Sequence, residues 1–174
     1  MTLPHSALLS RFETVLSNDS ESCVLDLACG TGRNGRWFLQ RGHRVSFLDI
    51  HTASLEAEFA TNPNATIIRQ DLESGEVNCL GSFDLVLVFN YLHRPLWPLI
   101  KQTVKPGGIL VYQTFTWQQA KLGRPSNPAF LLEENELTTV FAGWHQLYYG
   151  EEVPEPITGN GAFKAGIICR KPME

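Results

Sequence analysis

Twelve residues, Val24-Leu25-Asp26-Leu27-Ala28-Cys29-Gly30-Thr31-Gly32-Arg33-Asn34-Gly35, constrain this chain more than any other stretch. An apolar run ends on a carboxylate, and a glycine turn follows four residues later. Gly30-x-Gly32-x-x-Gly35 has the spacing that lets backbone approach a ligand closely at a helix N-terminus after a first strand. About 20 residues further on, a nucleoside-binding unit of this kind needs an acid to accept hydrogen bonds from ribose hydroxyls. Asp49 closes the strand-like run Arg44-Val45-Ser46-Phe47-Leu48-Asp49 and meets that need.

Asp49 serves a dinucleotide and S-adenosylmethionine (SAM) equally, so it does not choose between them. Asp26 does: a carboxylate there repels a pyrophosphate and attracts the ammonium and sulfonium of SAM. With these residues the chain resembles the class I SAM-dependent methyltransferases, whose first motif is an apolar strand, an acid and a Gly-x-Gly turn. Asp71, in Ile67-Ile68-Arg69-Gln70-Asp71-Leu72, stands where that family places an acid beside the adenine. Phe83 to Phe89 is similar to its fourth strand, and Lys105-Pro106-Gly107-Gly108-Ile109-Leu110-Val111 to the turn into its fifth. Cys29-Gly30-Thr31-Gly32-Arg33-Asn34, Phe130-Leu131-Leu132-x-x-x-Glu136-Leu137 and Gly143-Trp144 resemble the small tellurite-resistance branch. Asn90-Tyr91-Leu92-His93-Arg94-Pro95 has no counterpart to carry over from that branch.

The alternation of elements supports an α/β architecture. Leu8, Leu9, Phe12, Val15 and Leu16 have helical spacing over residues 6–17, which predicts a helix that either roofs the cofactor or packs on the sheet. Strands are expected at 22–27, 44–49, 65–70, 83–89 and 109–115. Helices are expected from about Arg33, over 52–60 with Thr52 as N-cap, from Pro95 to before Pro106, and at 133–141. Continuous apolar runs such as Leu85-Val86-Leu87-Val88-Phe89 indicate parallel strands buried on both faces. Two last strands, 145–150 and 162–170, are separated by Pro154, Pro156, Gly159 and Gly161 and read as an antiparallel hairpin. The family resemblance implies a Rossmann-like three-layer sandwich, with a mostly parallel seven-stranded sheet ordered 3-2-1-4-5-7-6 and the last strand antiparallel.

A chain of 174 residues is sized for one domain, and too short for a Rossmann unit plus a separate substrate domain. That weighs against a nicotinamide-dependent oxidoreductase. Its 43% hydrophobic and 18% charged residues are those of a soluble globular protein. No apolar run approaches the ~20 residues of a membrane span, and no signal peptide is evident, so a cytoplasmic location is expected. A net charge of −4 without a basic cluster leaves no footprint for nucleic acid. Cys23, Cys29, Cys79 and Cys169 lack metal-ligand spacing and are expected as buried free thiols, and His5, His43, His51, His93 and His145 fall on separate elements; no metal is expected.

Ligands of open α/β sheets bind beyond the carboxyl ends of the strands, which here carry Asp26, Asp49, Asp71, Asn90 and Thr114. The cofactor set implied by the resemblance is Asp26, Ala28, Cys29, Gly30, Thr31, Gly32 and Asn34 around the methionine portion, Asp49 and Ile50 at the ribose, Asp71 and Leu72 at the adenine, and Asn90. Tyr91, His93 and Arg94 follow the fourth strand, where related enzymes meet their substrate. His93 is the candidate base and Arg94 the candidate holder of an anionic acceptor, with helix capping or pairing to a carboxylate as the other reading of both. Residues 116–128 form a long turn-rich stretch with Trp117, Lys121 and Arg124, a candidate lid or a plain surface loop. The expected activity is methyl transfer to a small-molecule acceptor, giving S-adenosylhomocysteine. A SAM-binding module without catalysis, or a subunit of a larger methyltransferase, is the rival.

Overall fold

The structure, a computed structural model, describes residues 4–16, 21–77, 79–155 and 161–174. Seven strands form one sheet: β1 Cys23–Leu27, β2 Arg44–Asp49, β3 Ala65–Arg69, β4 Phe83–Phe89, β5 Val104–Phe115, β6 His145–Glu152 and β7 Lys164–Arg170. Their order is β3-β2-β1-β4-β5-β7-β6. The pairs β1·β2, β1·β4, β2·β3 and β4·β5 are parallel. β7 runs antiparallel to both β5 and β6. The carboxyl ends of β1 to β5 therefore share one rim, and strand order reverses at β1, where β2 departs to one side and β4 to the other.

Apolar strands need cover on both faces, and helices supply it. α1 (Ala7–Arg11), α3 (Arg33–Leu39) and α4 (Ala53–Phe59) lie on one side. There Leu8, Leu9, Phe38, Leu55 and Phe59 pack with Leu85, Leu87 and Phe89 of β4. α5 (Trp97–Thr103) and α6 (Glu136–Val140) lie on the other. Ile100, Leu137 and Phe141 pack there with Val86 and Val88. Alternate side chains of β4 thus feed two cores, as the period of a strand dictates. The result is the expected Rossmann-like three-layer sandwich.

Differences from the sequence reading have local causes. The N-terminal helix breaks at Phe12, whose amide still reaches Leu8 O, into α1 and the short α2 (Glu13–Leu16); Ser17 lies outside the described residues, as do residues 18–20. β5 begins at Val104, five residues before its expected start, because Val104 pairs with Phe83 and the ladder resumes only at Leu85 and Ile109. The segment Lys105–Gly108 is a bulge inside the strand, with Gly107 at φ 73. Pro95 opens a 3-10 turn, Arg94–Leu96, that leads into α5. Thr52 precedes α4 without capping it; its hydroxyl donates to Glu56 Oε1 at 2.6 Å. The two last strands do pair antiparallel; Pro156 and Gly159 between them lie outside the described residues. Among the cysteines only Cys169 is buried, whereas Cys79 is exposed. No described helix is long and apolar enough to cross a membrane.

Candidate active site

The glycine turn between β1 and α3 is built by contacts that the two flanking acids make. Asp49 Oδ2 accepts from Gly30 N at 2.8 Å, and Asp49 Oδ1 accepts from His51 N at 2.9 Å. One carboxylate thereby fixes both the turn after β1 and the turn after β2. Asp26 is nearly fully buried, and its Oδ2 accepts from Gly35 N at 2.7 Å. Burial pushes the Asp26 carboxyl up to about 7, with the Gly35 amide opposing. Asp26 therefore acts less by facing a ligand than by occupying a helix N-terminal donor that a pyrophosphate would need.

The three glycines have different tasks. A Cβ on Gly30, at φ 56, would meet nothing within 4 Å and would project into open space. On Gly32 it would come within 2.7 Å of Leu55, and on Gly35 within 2.5 Å of Phe47 and 2.9 Å of Asp26 Oδ2. Gly30 keeps room beside the turn, while Gly32 and Gly35 let α3 press onto the sheet.

Three cavities line up along the rim, and Asn90 borders all of them. The first, about 470 Å³, lies beyond β2 and β3, between Asp49, Ile50, Asp71 and Leu72, with Gln70 and Glu73 adding polar edges. The second, about 230 Å³, follows the glycine turn past Asp26, Cys29, Gly30, Thr31 and Asn34. Ala28 borders both. The third, about 290 Å³, opens beside Tyr91 and is walled by Leu92, Phe115, Pro125 and Phe130. Ala28 and Asn90, which follow β1 and β4, hold φ 53 and 56. Non-glycine residues in that region carry strain of order ~1–3 kcal/mol each, which concentrates where backbone must be aimed at a ligand.

The rim residues are held from behind. Asn90 N donates to Gln113 O, and Tyr112, buried in β5, donates its hydroxyl to Tyr91 O, both at 2.9 Å. Asp71 Oδ1 accepts from Glu73 N at 2.9 Å. Tyr91 donates its hydroxyl to Glu73 Oε1 at 3.4 Å, and burial with the nearby Glu73 charge keeps that phenol protonated well above its ordinary range. Burial likewise raises the Cys29 thiol, with Asp26 and Asp49 adding to the effect, so Cys29 stays a neutral wall of the turn.

Of the residues expected from sequence, Asp26, Ala28, Cys29, Gly30, Thr31, Asn34, Asp49, Ile50, Asp71, Leu72, Asn90 and Tyr91 come together along these cavities. Gly32 stands behind the turn. His93 and Arg94 border none of the three cavities. Arg94 instead makes four hydrogen bonds, to Glu136 Oε1 and Oε2 and to the carbonyls of Ala129 and Leu131. It is the carboxylate-paired arginine of the alternative reading. The His93 side chain caps no helix. Thr114 is buried, and its hydroxyl has no partner.

Trp117, Lys121 and Arg124 do not reach the cavities; Lys121 Nζ sits 4.8 Å from the centre of the Trp117 ring, and the loop contributes Pro125 alone. The N-terminal helix packs on the sheet and roofs none of the cavities, although Ser6 N donates to Asn34 Oδ1 and braces the glycine turn. Gln70, Glu73, Arg33, Phe89, Leu92, Phe115 and Phe130 also line the cavities and are not among the residues expected from sequence, and Pro125 enters the expectation only as part of the candidate lid. Glu73, two residues past Asp71, carried a signal that could have found it.

Residues 24–108 match the family model described as "Methyltransferase domain". This span runs from β1 to the bulge of β5 and contains every residue of the expected cofactor set. A curated relative from Haemophilus influenzae, described as probable S-adenosyl-L-methionine-dependent methyltransferase TehB, is 27% identical over 144 residues, covering 76% of this chain and 49% of that protein. The chain thus spans about half the length of the curated relative it matches. The crystal structure of TehB from Haemophilus influenzae aligns with a TM-score of 0.73 at 23% identity, covering 98% of this chain and 63% of that one. A SAM-dependent methyltransferase from Methanosarcina mazei aligns at 0.71 and 16% identity, covering 99% of this chain and 100% of its own. Burkholderia thailandensis 1,6-didemethyltoxoflavin-N1-methyltransferase, solved with S-adenosylhomocysteine and 1,6-didemethyltoxoflavin bound, aligns at 0.68 and 18% identity, covering 95% of this chain and 79% of its own. With its glycine turn, acid-tipped strands and sheet order, this chain carries a segment that matches the methyltransferase-domain model over residues 24–108, and it is similar to SAM-dependent methyltransferases of the TehB-like branch.

Proposed function

We propose that the protein binds SAM along the first two cavities and transfers its methyl group to a small-molecule acceptor in the third, releasing S-adenosylhomocysteine. The observation that carries this reading is that the three cavities share Asn90 as a common border. A nucleoside, an amino-acid chain and an acceptor then fit side by side at the switch in strand order. The open space at Gly30 and the capped donor at Gly35 suit a ligand without a pyrophosphate.

In this reading Asp49 receives the ribose hydroxyls, Asp71, Leu72 and Ile50 hold the adenine, and the turn from Ala28 to Thr31, with Asn34 and Asp26 behind it, receives the methionine portion. SAM, when bound, supplies a methyl group already activated by its sulfonium. The chain's own task is alignment: the strained backbone at Ala28 and Asn90 and the Tyr112-to-Tyr91 hydrogen bond fix the rim against which an acceptor is placed. The experiment is calorimetric titration with S-adenosylhomocysteine, with NADH as control. Micromolar binding of the first alone supports the reading, and binding of NADH alone or of neither ligand overturns it.

A further inference from the structure

Resting on the SAM reading above, the third cavity also carries information about the acceptor. Leu92, Phe115, Pro125 and Phe130 give it an apolar wall, and its polar groups are the Glu73 carboxylate, Asn90 and the Tyr91 hydroxyl. No lysine, arginine or histidine borders it among the described residues. Three of the nearby cations are engaged elsewhere. Arg94 is paired with Glu136 and turned onto two carbonyls. Lys121 lies over Trp117, and Lys164 stands 4.9 Å from the Phe115 ring centre and opposite Glu152 in the β6·β7 ladder. Glu73 joins Asp49 and Asp71 in the first cavity, so the acceptor side adjoins a rim of negative charge.

An oxyanion entering there would meet the exposed Glu73 carboxylate with no cation among the described lining residues, an arrangement that repels it. An ammonium or an N–H donor on an apolar body would instead find a charge-assisted acceptor in Glu73 and apolar contact on the other walls. With a volume of about 290 Å³, the cavity is sized for a small molecule. We propose that the third cavity is an acceptor site that selects a small apolar amine or N-heterocycle, with Glu73 as the residue that determines specificity and takes up the proton the nitrogen sheds before its lone pair attacks the methyl carbon and the sulfonium leaves as the thioether of S-adenosylhomocysteine. The same charge pattern selects against carboxylates and chalcogen oxyanions.

Three isosteres, 2-phenylethylamine, 2-phenylethanol and phenylacetate, and selenite as a fourth ligand test this directly, each titrated into protein saturated with S-adenosylhomocysteine. The amine is expected to bind roughly tenfold more tightly than the alcohol, with phenylacetate weakest. Glu73→Gln should bring the amine-to-alcohol ratio below about threefold, whereas Phe130→Ala should weaken amine and alcohol together and leave the ratio near its wild-type value. Phenylacetate or selenite binding as tightly as the amine, an unchanged ratio in Glu73→Gln, or no binding of any isostere overturns the proposal. Each of those results, with S-adenosylhomocysteine still bound, leaves the SAM reading standing. Failure of S-adenosylhomocysteine itself to bind removes both.

Discussion

Arg94 grips Glu136 through two parallel hydrogen bonds, Nε to Oε1 at 2.6 Å and Nη2 to Oε2 at 2.9 Å, across 42 positions of chain. The same guanidinium donates to Ala129 O and Leu131 O, so it moors the segment that carries Phe130 to the end of β4. Burial alone would raise the Glu136 carboxyl, but Arg94 and the Glu133 amide outweigh it and hold it below the ordinary 4.5. That stabilisation is present above pH ~4.5 and is lost as pH falls through the depressed folded value. Arg94→Met is expected to destabilise the protein by about 1–3 kcal/mol, measured by denaturant unfolding at neutral pH. It should weaken acceptor binding far more than S-adenosylhomocysteine binding, because Phe130 borders only the third cavity.

Asp49 and Gly30 give the second prediction. Asp49→Ala removes the clamp on the Gly30 amide together with the proposed ribose acceptor, and should weaken S-adenosylhomocysteine by roughly tenfold or more in calorimetry. Unchanged affinity would count against the ribose assignment.

Gly30 and Gly35 separate ligand space from packing. Gly35→Ala would force a Cβ against Phe47 and Asp26, and is expected to cost about 1–3 kcal/mol of stability by overpacking. Gly30→Ala meets no protein atom, so its larger effect should be on cofactor affinity, with only the ~1 kcal/mol strain of a left-handed alanine in the unfolding curve. Equal losses of stability in the two variants would contradict this division.

Asp26 predicts a pH signature. Its folded carboxyl titrates near 7 against an ordinary 3.8, so between those values the folded chain holds more protons than the unfolded one. Stability is then greatest below the unfolded value and is lost as pH rises through the folded one. Asp26→Asn lacks this loss, so its melting temperature relative to wild type should climb between pH ~4 and ~7 by about 3–5 °C per pH unit and then level off. A difference independent of pH would show that the buried carboxyl does not titrate in that window.

Most of the fold could be read from local pattern. The runs at 44–49 and 83–89 coincide with β2 and β4 because each is rich in β-branched and aromatic residues and is closed by a polar residue on the rim, Asp49 and Asn90. The residues of the candidate cofactor side were equally quick to place along the cavities, since they cluster within a few residues of strand ends. The acceptor side was not. Its walls come from β5, from the turn after β4 and from two places in the loop after β5, and no short motif joins Leu92 to Phe130. Arg94 illustrates the difficulty: its position beside Tyr91 suggested chemistry, while its partner lay 42 residues away. The inset of β5 at Val104 was hidden for a similar reason, because Phe83, not local propensity, recruits it into the sheet.

β7 lies between β5 and β6 in the sheet although it follows both in the chain. During synthesis from the N-terminus, β6 therefore leaves the ribosome with no neighbour to hydrogen-bond, and β5 presents an open ladder from Ile109 to Phe115 until residues 164–170 arrive. The glycine turn and both acid-tipped strands can assemble on the nascent chain well before this. A ribosome stalled before Lys164 would thus hold a nearly complete candidate cofactor half beside two sticky strand edges, a state in which chaperone capture competes with aggregation.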